Sequence, residues 1–123
     1  MYLTADELLA VARGVVRDLV VRDVGLVEPA AARPRTQVGG SDAHPDLLSK
    51  AAVLLHSLTR NHTLLDGNER LALAGTIVFL GVNGTRLTAT NDEAYDLIMD
   101  VAAGRVDDVA SIRDRLASLT RPW

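Results

Sequence analysis

The sequence predicts an all-α fold: a compact bundle of five to six helices, in one domain over residues 1–123, wrapped around a buried central helix at about 69–82. Three observations lead there. Apolar residues recur at helical spacing in successive stretches of the chain. Those stretches are separated by Gly, Pro and Asn-Gly breaks of the kind that end helices. The run Leu71 to Val82 is apolar on nearly every side, as a helix enclosed by its neighbours must be.

The elements follow in chain order. Thr4-Ala-Asp-Glu7 is a capping box, in which the threonine hydroxyl and the glutamate carboxylate each satisfy an amide of the first turn. Leu8, Leu9, Val11, Ala12, Val15, Val16, Leu19 and Val20 continue it, so residues 4–22 are read as one amphipathic helix. Gly25, Pro29, Pro34 and Gly39-Gly40 make residues 23–45 mostly connection, with room for a short helix near Glu28 to Ala32. The piece "RPRTQVGG" reads as a short extended hairpin or flap. Pro45 suits the first turn of the next helix, which runs from Pro45 or Asp46 to Asn61 with Leu47, Leu48, Ala51, Leu54, Leu55 and Leu58 on one stripe. The central helix starts at Asn68 or Glu69 and stops at Asn83-Gly84, a left-handed C-cap. "TNDEAYDLIMDVAAG" gives a helix stopped by Gly104, and "DDVASIRDRLASL" gives the last, ended before Pro122.

Composition narrows the function. Hydrophobic residues make up 48% but aromatics only 3%, so the core is built from Leu, Val, Ala and Ile. A net charge of −3 offers no basic face for direct nucleic-acid binding. The chain has no cysteine, so disulfides and thiolate nucleophiles are excluded, which fits a reducing cytosol. "MYLTADELLA" lacks the basic and apolar regions of a signal peptide, and the longest apolar run falls short of the ~20 residues a membrane span needs. A cytoplasmic protein with no membrane partner is expected.

The chemistry concentrates in "RNHTLLDGNER", residues 60–70. The start of a helix presents unpaired amides and partial positive charge, which suit phosphate or another anion. Gly67 is read as removing a Cβ that would hold a ligand off the backbone. Asp66 is a candidate ligand for Mg²⁺, which favours carboxylates together with phosphate oxygens. Arg70 offers a planar, permanently charged set of donors. His62 has a side chain able to take a proton from a hydroxyl near neutral pH. Together these are parts of a phosphoryl- or nucleotidyl-transfer site. A plainer reading stands beside it: Asp66 or Asn68 caps the helix, His62 sits against the helix dipole of the preceding helix, and Arg70 lies on the surface.

"HTLLDGNERLALAGTIVFLGVNG" resembles the signature of the Fic/Doc family, in which His-x-Phe-x-Asp/Asn-Ala/Gly-Asn-Lys-Arg precedes an apolar helix ending in Asn-Gly. "ARPRTQVGG", "LLSKAAVLLHSLTRNH" and "DLIMDVAAGRVDDVASIRDRL" also look like its Doc (death on curing) branch, the toxins of toxin–antitoxin pairs. The length is similar to that of a stand-alone Doc-type toxin, without the extra inhibitory helix or adaptor segments of larger Fic proteins. The resemblance implies a Fic-type helical fold and a transfer from ATP, with Mg²⁺, onto a protein hydroxyl. Most of the family moves AMP, whereas the Doc branch moves phosphate onto a threonine of elongation factor Tu and arrests translation. His62 matches the family's essential histidine, and Asp66 its metal-associated acid. Gly67, Asn68 and Glu69 lie on its anion loop, and Arg70 matches its phosphate-binding arginine. Glu69 and Leu73 stand where the AMP-transferring signature has a second glycine and a second arginine, which favours phosphate transfer. A Phd-like antitoxin segment with an apolar face is the implied partner.

Two departures stand out. Leu64 replaces the motif's Phe, an apolar exchange costing about 1 kcal/mol of repacking. Glu69 replaces its Lys, so an anion stands where a cation would meet phosphate. At a few ångströms and an effective dielectric of about 20 such a pair is worth roughly 4 kcal/mol, less where solvent reaches it. Three readings of Glu69 stay open: a catalytically impaired relative acting as an antitoxin-binding module, a second metal ligand, or a solvent-facing residue serving only the helix dipole. Elsewhere, His44 and His56 are read as structural, and Lys50 and Arg60 as residues that could line the cleft but by default form a solvated face.

Overall fold

A computed structural model describes all residues, 1–123. It is all-α, with six helices: α1 (Ala5–Val15), α2 (Val27–Ala32), α3 (Leu47–Arg60), α4 (Asn68–Val82), α5 (Asn91–Ala102) and α6 (Val109–Ser118). Two short antiparallel pairs decorate them, β1 (Gln37–Val38) with β2 (Ser41–Asp42), and β3 (Thr85–Leu87) with β4 (Thr120–Pro122). No helix is long and apolar enough to cross a membrane.

The helix starts are set by side chains the sequence exposes. Thr4 with Glu7, and Thr90 with Glu93, form complete capping boxes on α1 and α5. Asp46 and Asp108 accept from the third amide of α3 and α6. Pro45 therefore lies outside α3, because the Asp46 carboxylate outcompetes proline's preference for the first turn.

α4 lies between α1, α3 and α5. Gly75 lets α1 and α3 pack closely on α4: a Cβ there would come within 3.1 Å of Leu58 Cδ1 from α3 and 3.2 Å of Leu8 Cδ2 from α1. Leu71, Ala72, Phe79 and Leu80 complete the inward face, while Ile77 and Val82 remain exposed. The apolar composition of α4 thus overstates its enclosure. α3 is enclosed more fully, with Ala51 to Leu55 and Ser57 to Thr59 all buried. Each of its buried leucines contributes about 1.5–3 kcal/mol of transfer free energy.

Two readings need correction. The first helix ends at Val15, seven residues short of the expected 22. Val16 turns extended and Asp18 adopts a left-handed conformation (φ 53°), after which the chain runs back along the loop before α4. Val20 and Val21, β-branched and suited to extended backbone, pair with that loop instead of continuing the helix. The β3–β4 pair was not foreseen, because its strands are three residues each and their partners 33 positions or more apart in the chain. By contrast, the hairpin expected within "RPRTQVGG" is present, with Gly39 and Gly40 at positive φ in its turn (59° and 83°).

Candidate active site

The loop from His62 to Gly67 is held by its neighbours before it meets any ligand. Thr63 O accepts from the amides of Arg22 (2.8 Å) and Asp23 (3.0 Å), and the Leu65 amide donates to Val20 O (3.0 Å). Arg22 Nε donates to the carbonyl of His62 at 3.0 Å. From the other side, Asn68 grips Leu64 twice: its Oδ1 accepts from the Leu64 amide and its Nδ2 donates to the Leu64 carbonyl, both at 3.0 Å. Leu64 itself is buried, as expected of an anchor replacing phenylalanine. Under these ties His62 adopts φ 51°, a conformation costing a residue with a Cβ roughly 1–3 kcal/mol. Its side chain is exposed.

α4 begins without a side-chain cap. Gly67 is the N-cap residue, and the Gly67 carbonyl takes its first backbone bond from Leu71 at 3.0 Å. The amides of Asn68, Glu69 and Arg70 have no protein partner. Three donors and the positive end of a fifteen-residue helix converge there. This removes the plainer reading in which Asp66 or Asn68 caps the helix: Asn68 is spent on Leu64, and Asp66 Oδ1 accepts only from the adjoining Gly67 amide at 2.8 Å. Asn68 therefore leaves only its backbone amide open at the helix start.

The role expected of Gly67 also changes. A Cβ there would point inward, 2.8 Å from both methyls of Val16, on a backbone at φ 90°. Glycine is required by the turn and by Val16, just past the end of α1, beneath it.

These residues open onto a cleft of about 560 Å³. One wall is Asp66, Gly67, Glu69, Arg70 and Leu73; the other comes from α5, with Asn91, Tyr95 and Met99 one turn apart along it and Ala94 and Ile98 beside them. Arg70 is exposed and has no carboxylate partner, so its guanidinium is free to meet an anion. Glu69 lines the same space and is exposed, and its side chain has no hydrogen-bond or ion-pair partner in the protein. His62 is not part of the cleft wall and stands four residues before Asp66 on the loop. No three acidic, histidine or cysteine side chains gather closely enough to hold a metal unaided. A magnesium ion bound with a nucleotide needs no such cage, because phosphates and water fill most of its six positions. One carboxylate with a free Oδ2, three open amides and an arginine fit that chemistry.

The α5 wall and the brace at residues 18–23 were missed in the sequence. The wall was legible in part: Asn91, Tyr95 and Met99 recur every fourth residue on a helix whose apolar face already lies elsewhere, and Tyr95 is 63% exposed. The brace carries no local signal. Of Lys50 and Arg60, only Lys50 departs from a solvated face, being nearly buried under the hairpin. Arg60 is exposed as expected and donates to the Val101 carbonyl and to Asp107. His56 bonds that same Asp107 oxygen at 2.8 Å, a structural role as expected. Burial, helped by the nearby Arg33 and Lys50 cations, holds His44 below the usual histidine range.

In class, then, this is a small helical protein with an uncapped helix start opening onto a cleft with a largely apolar far wall. Residues 2–80 match the model of the Fic/DOC family, and the chain belongs to that family. It is 50% identical over 102 residues to the protein named Toxin Doc from Mycolicibacterium smegmatis, covering 81% of this chain and 78% of the relative. It is 31% identical over 97 residues to Protein kinase doc of Escherichia phage P1, covering 79% and 75%. Both are Doc proteins, which places the chain in the Doc toxin branch.

Proposed function

We propose that this Doc-type toxin moves the γ-phosphate of ATP onto a hydroxyl of a translation factor, elongation factor Tu, and that a Phd-like antitoxin restrains it. The observation carrying this reading is the set of three unpartnered amides at the start of α4, flanked by Asp66 and the unpaired Arg70. The amides of Asn68, Glu69 and Arg70 cradle phosphate oxygens, and the Arg70 guanidinium clamps them. Asp66 would hold Mg²⁺, which neutralises phosphate charge when bound. The apolar face of Ala94, Tyr95, Ile98 and Met99 offers the base a surface to lie on. His62 accepts the proton of the target hydroxyl as its oxygen bonds to the γ-phosphorus. The bond from that phosphorus to the β,γ-bridging oxygen breaks, and ADP leaves with the electron pair. The β1–β2 hairpin, with both outer edges unpaired, aligns the target segment by strand pairing.

A second reading is favoured by Glu69, an acidic residue lining the cleft. In it the chain binds antitoxin but turns over poorly, because the anion repels the phosphates that the amides attract. One experiment separates the readings: elongation factor Tu is incubated with Mg²⁺ and ATP labelled at the γ- or the α-phosphate. Transfer of γ-label that is lost in His62→Ala, without a change in melting temperature, supports the proposal. Transfer of α-label makes the chain an AMP-transferase instead. No transfer by the natural chain, with transfer by Glu69→Lys, makes it the impaired relative.

A further inference from the structure

The β1–β2 hairpin has little of its own to hold it in place. Its strands are two residues long, all four residues are exposed, and Val38 is 71% exposed. A pair this small is not stable alone in water. Within it, Gln37 Nε2 reaches Asp42 Oδ1 at 3.3 Å and the Ala43 amide donates to Thr36 O at 2.9 Å. Those bonds close the hairpin but do not attach it to anything.

The attachment comes from the first turns of α3. Lys50 Nζ donates to the Pro34 carbonyl at 3.4 Å, to Asp42 Oδ2 at 3.1 Å and to the His44 carbonyl. The acceptors lie before β1, in β2 and after β2, so one ammonium ties both stems and one strand to the helix. It has three N–H donors and each is used. The side chain is only 12% exposed, and the Tyr2 ring lies 5.8 Å from Nζ. A lysine so enclosed is uncommon unless its charge is fully satisfied. The site residues on α4 and α5 make none of these contacts.

We propose that Lys50 is a latch fixing the orientation of the hairpin, and through it a positioning residue for the protein substrate. The substrate role rests on the function proposed above; the latch itself does not. A strand-pairing edge must be in place before the target arrives, because ordering it on binding raises the cost of association. Loss of the latch therefore weakens use of the protein substrate while leaving the nucleotide cleft intact.

The test uses Lys50→Met, which keeps the aliphatic stem and removes the charge. Hydrogen exchange across residues 36–43 should quicken at least tenfold while α4 is unchanged. Unchanged exchange in that segment overturns the latch. In the γ-label assay with elongation factor Tu, the KM for the protein should rise at least tenfold and the KM for ATP should stay within twofold. Equal rises in both, or a fall in kcat alone, overturn the positioning role. If Lys50→Met does not fold, Asp42→Ala carries the same measurements, because it removes one of the three acceptors on an exposed strand. A natural chain that transfers no label of either kind sinks the substrate role together with the function it rests on, whereas the exchange result still decides the latch.

Discussion

At the scale of single residues, the motif separates into groups that face the cleft and groups that build it. Asp66, Glu69 and Arg70 face it. Gly67 and Asn68 build it: one turns the chain where no Cβ fits, and the other staples the loop through both backbone groups of Leu64. Gly67→Ala should accordingly destabilise the protein, not merely the site. The left-handed backbone costs roughly 1–3 kcal/mol, and contact with the Val16 methyls adds to it. Thermal denaturation followed by circular dichroism should show a fall of about 5–15 °C. Adding Val16→Ala to Gly67→Ala should recover part of that loss, since it relieves the contact and leaves the torsion strain. No recovery at all would mean the glycine is needed for its torsion alone. The match of residues 62–70 to the motif was legible in the sequence, but the division of labour within it was not, because it depends on what lies beneath each residue.

At the scale of elements, α5, which walls the cleft, is tied by ion pairs to α6 and to the loop that follows α5 itself. Asp100 on α5 accepts from Arg105 Nε at 2.8 Å and from Arg115 Nη1 of α6 at 3.1 Å. The hydrogen bond from Arg105, then that from Arg115, keeps its carboxyl below the usual aspartate value of 3.8. A carboxyl more acidic in the folded state than in the unfolded one stabilises the fold fully above about 3.8. That stabilisation is lost as pH falls through the lower folded value. Asp100→Asn should therefore lower the urea midpoint at pH 7, and the gap to the natural protein should close on acidification through that window. A gap that persists at low pH would assign the effect to packing. Capping residues, stop glycines and the hairpin turn were all readable, because each acts within four residues of itself. The real end of α1 was not, since Val20 and Val21 leave helical spacing only to pair with a loop more than forty residues away.

At the scale of the whole molecule, one connected core runs from Leu3 to Leu119, and the site is a corner of it. Leu58 packs over Gly75 between α3 and α4 and is 1% exposed. Leu58→Ala should cost about 2–5 kcal/mol, seen as a lower urea midpoint with the slope unchanged, because a single core unfolds in one step. Two separate transitions would show that the helices following α4 form a core of their own. The same rigidity serves the site: three amides stay aimed at one point only if the helix presenting them cannot tilt.

The sequence by itself determined the helices, their caps, the Doc-branch motif and the family, since each is written in spacing within a turn or two of the chain. Only the tertiary structure decided which motif residues face a ligand, that a segment after α1 braces the loop, that α5 walls the cleft and that Lys50 lies under the hairpin. Those are contacts between residues from about eight to more than forty positions apart, and no local periodicity encodes them. They arise when apolar faces close on one another and the remaining polar groups must find partners where the closure leaves them.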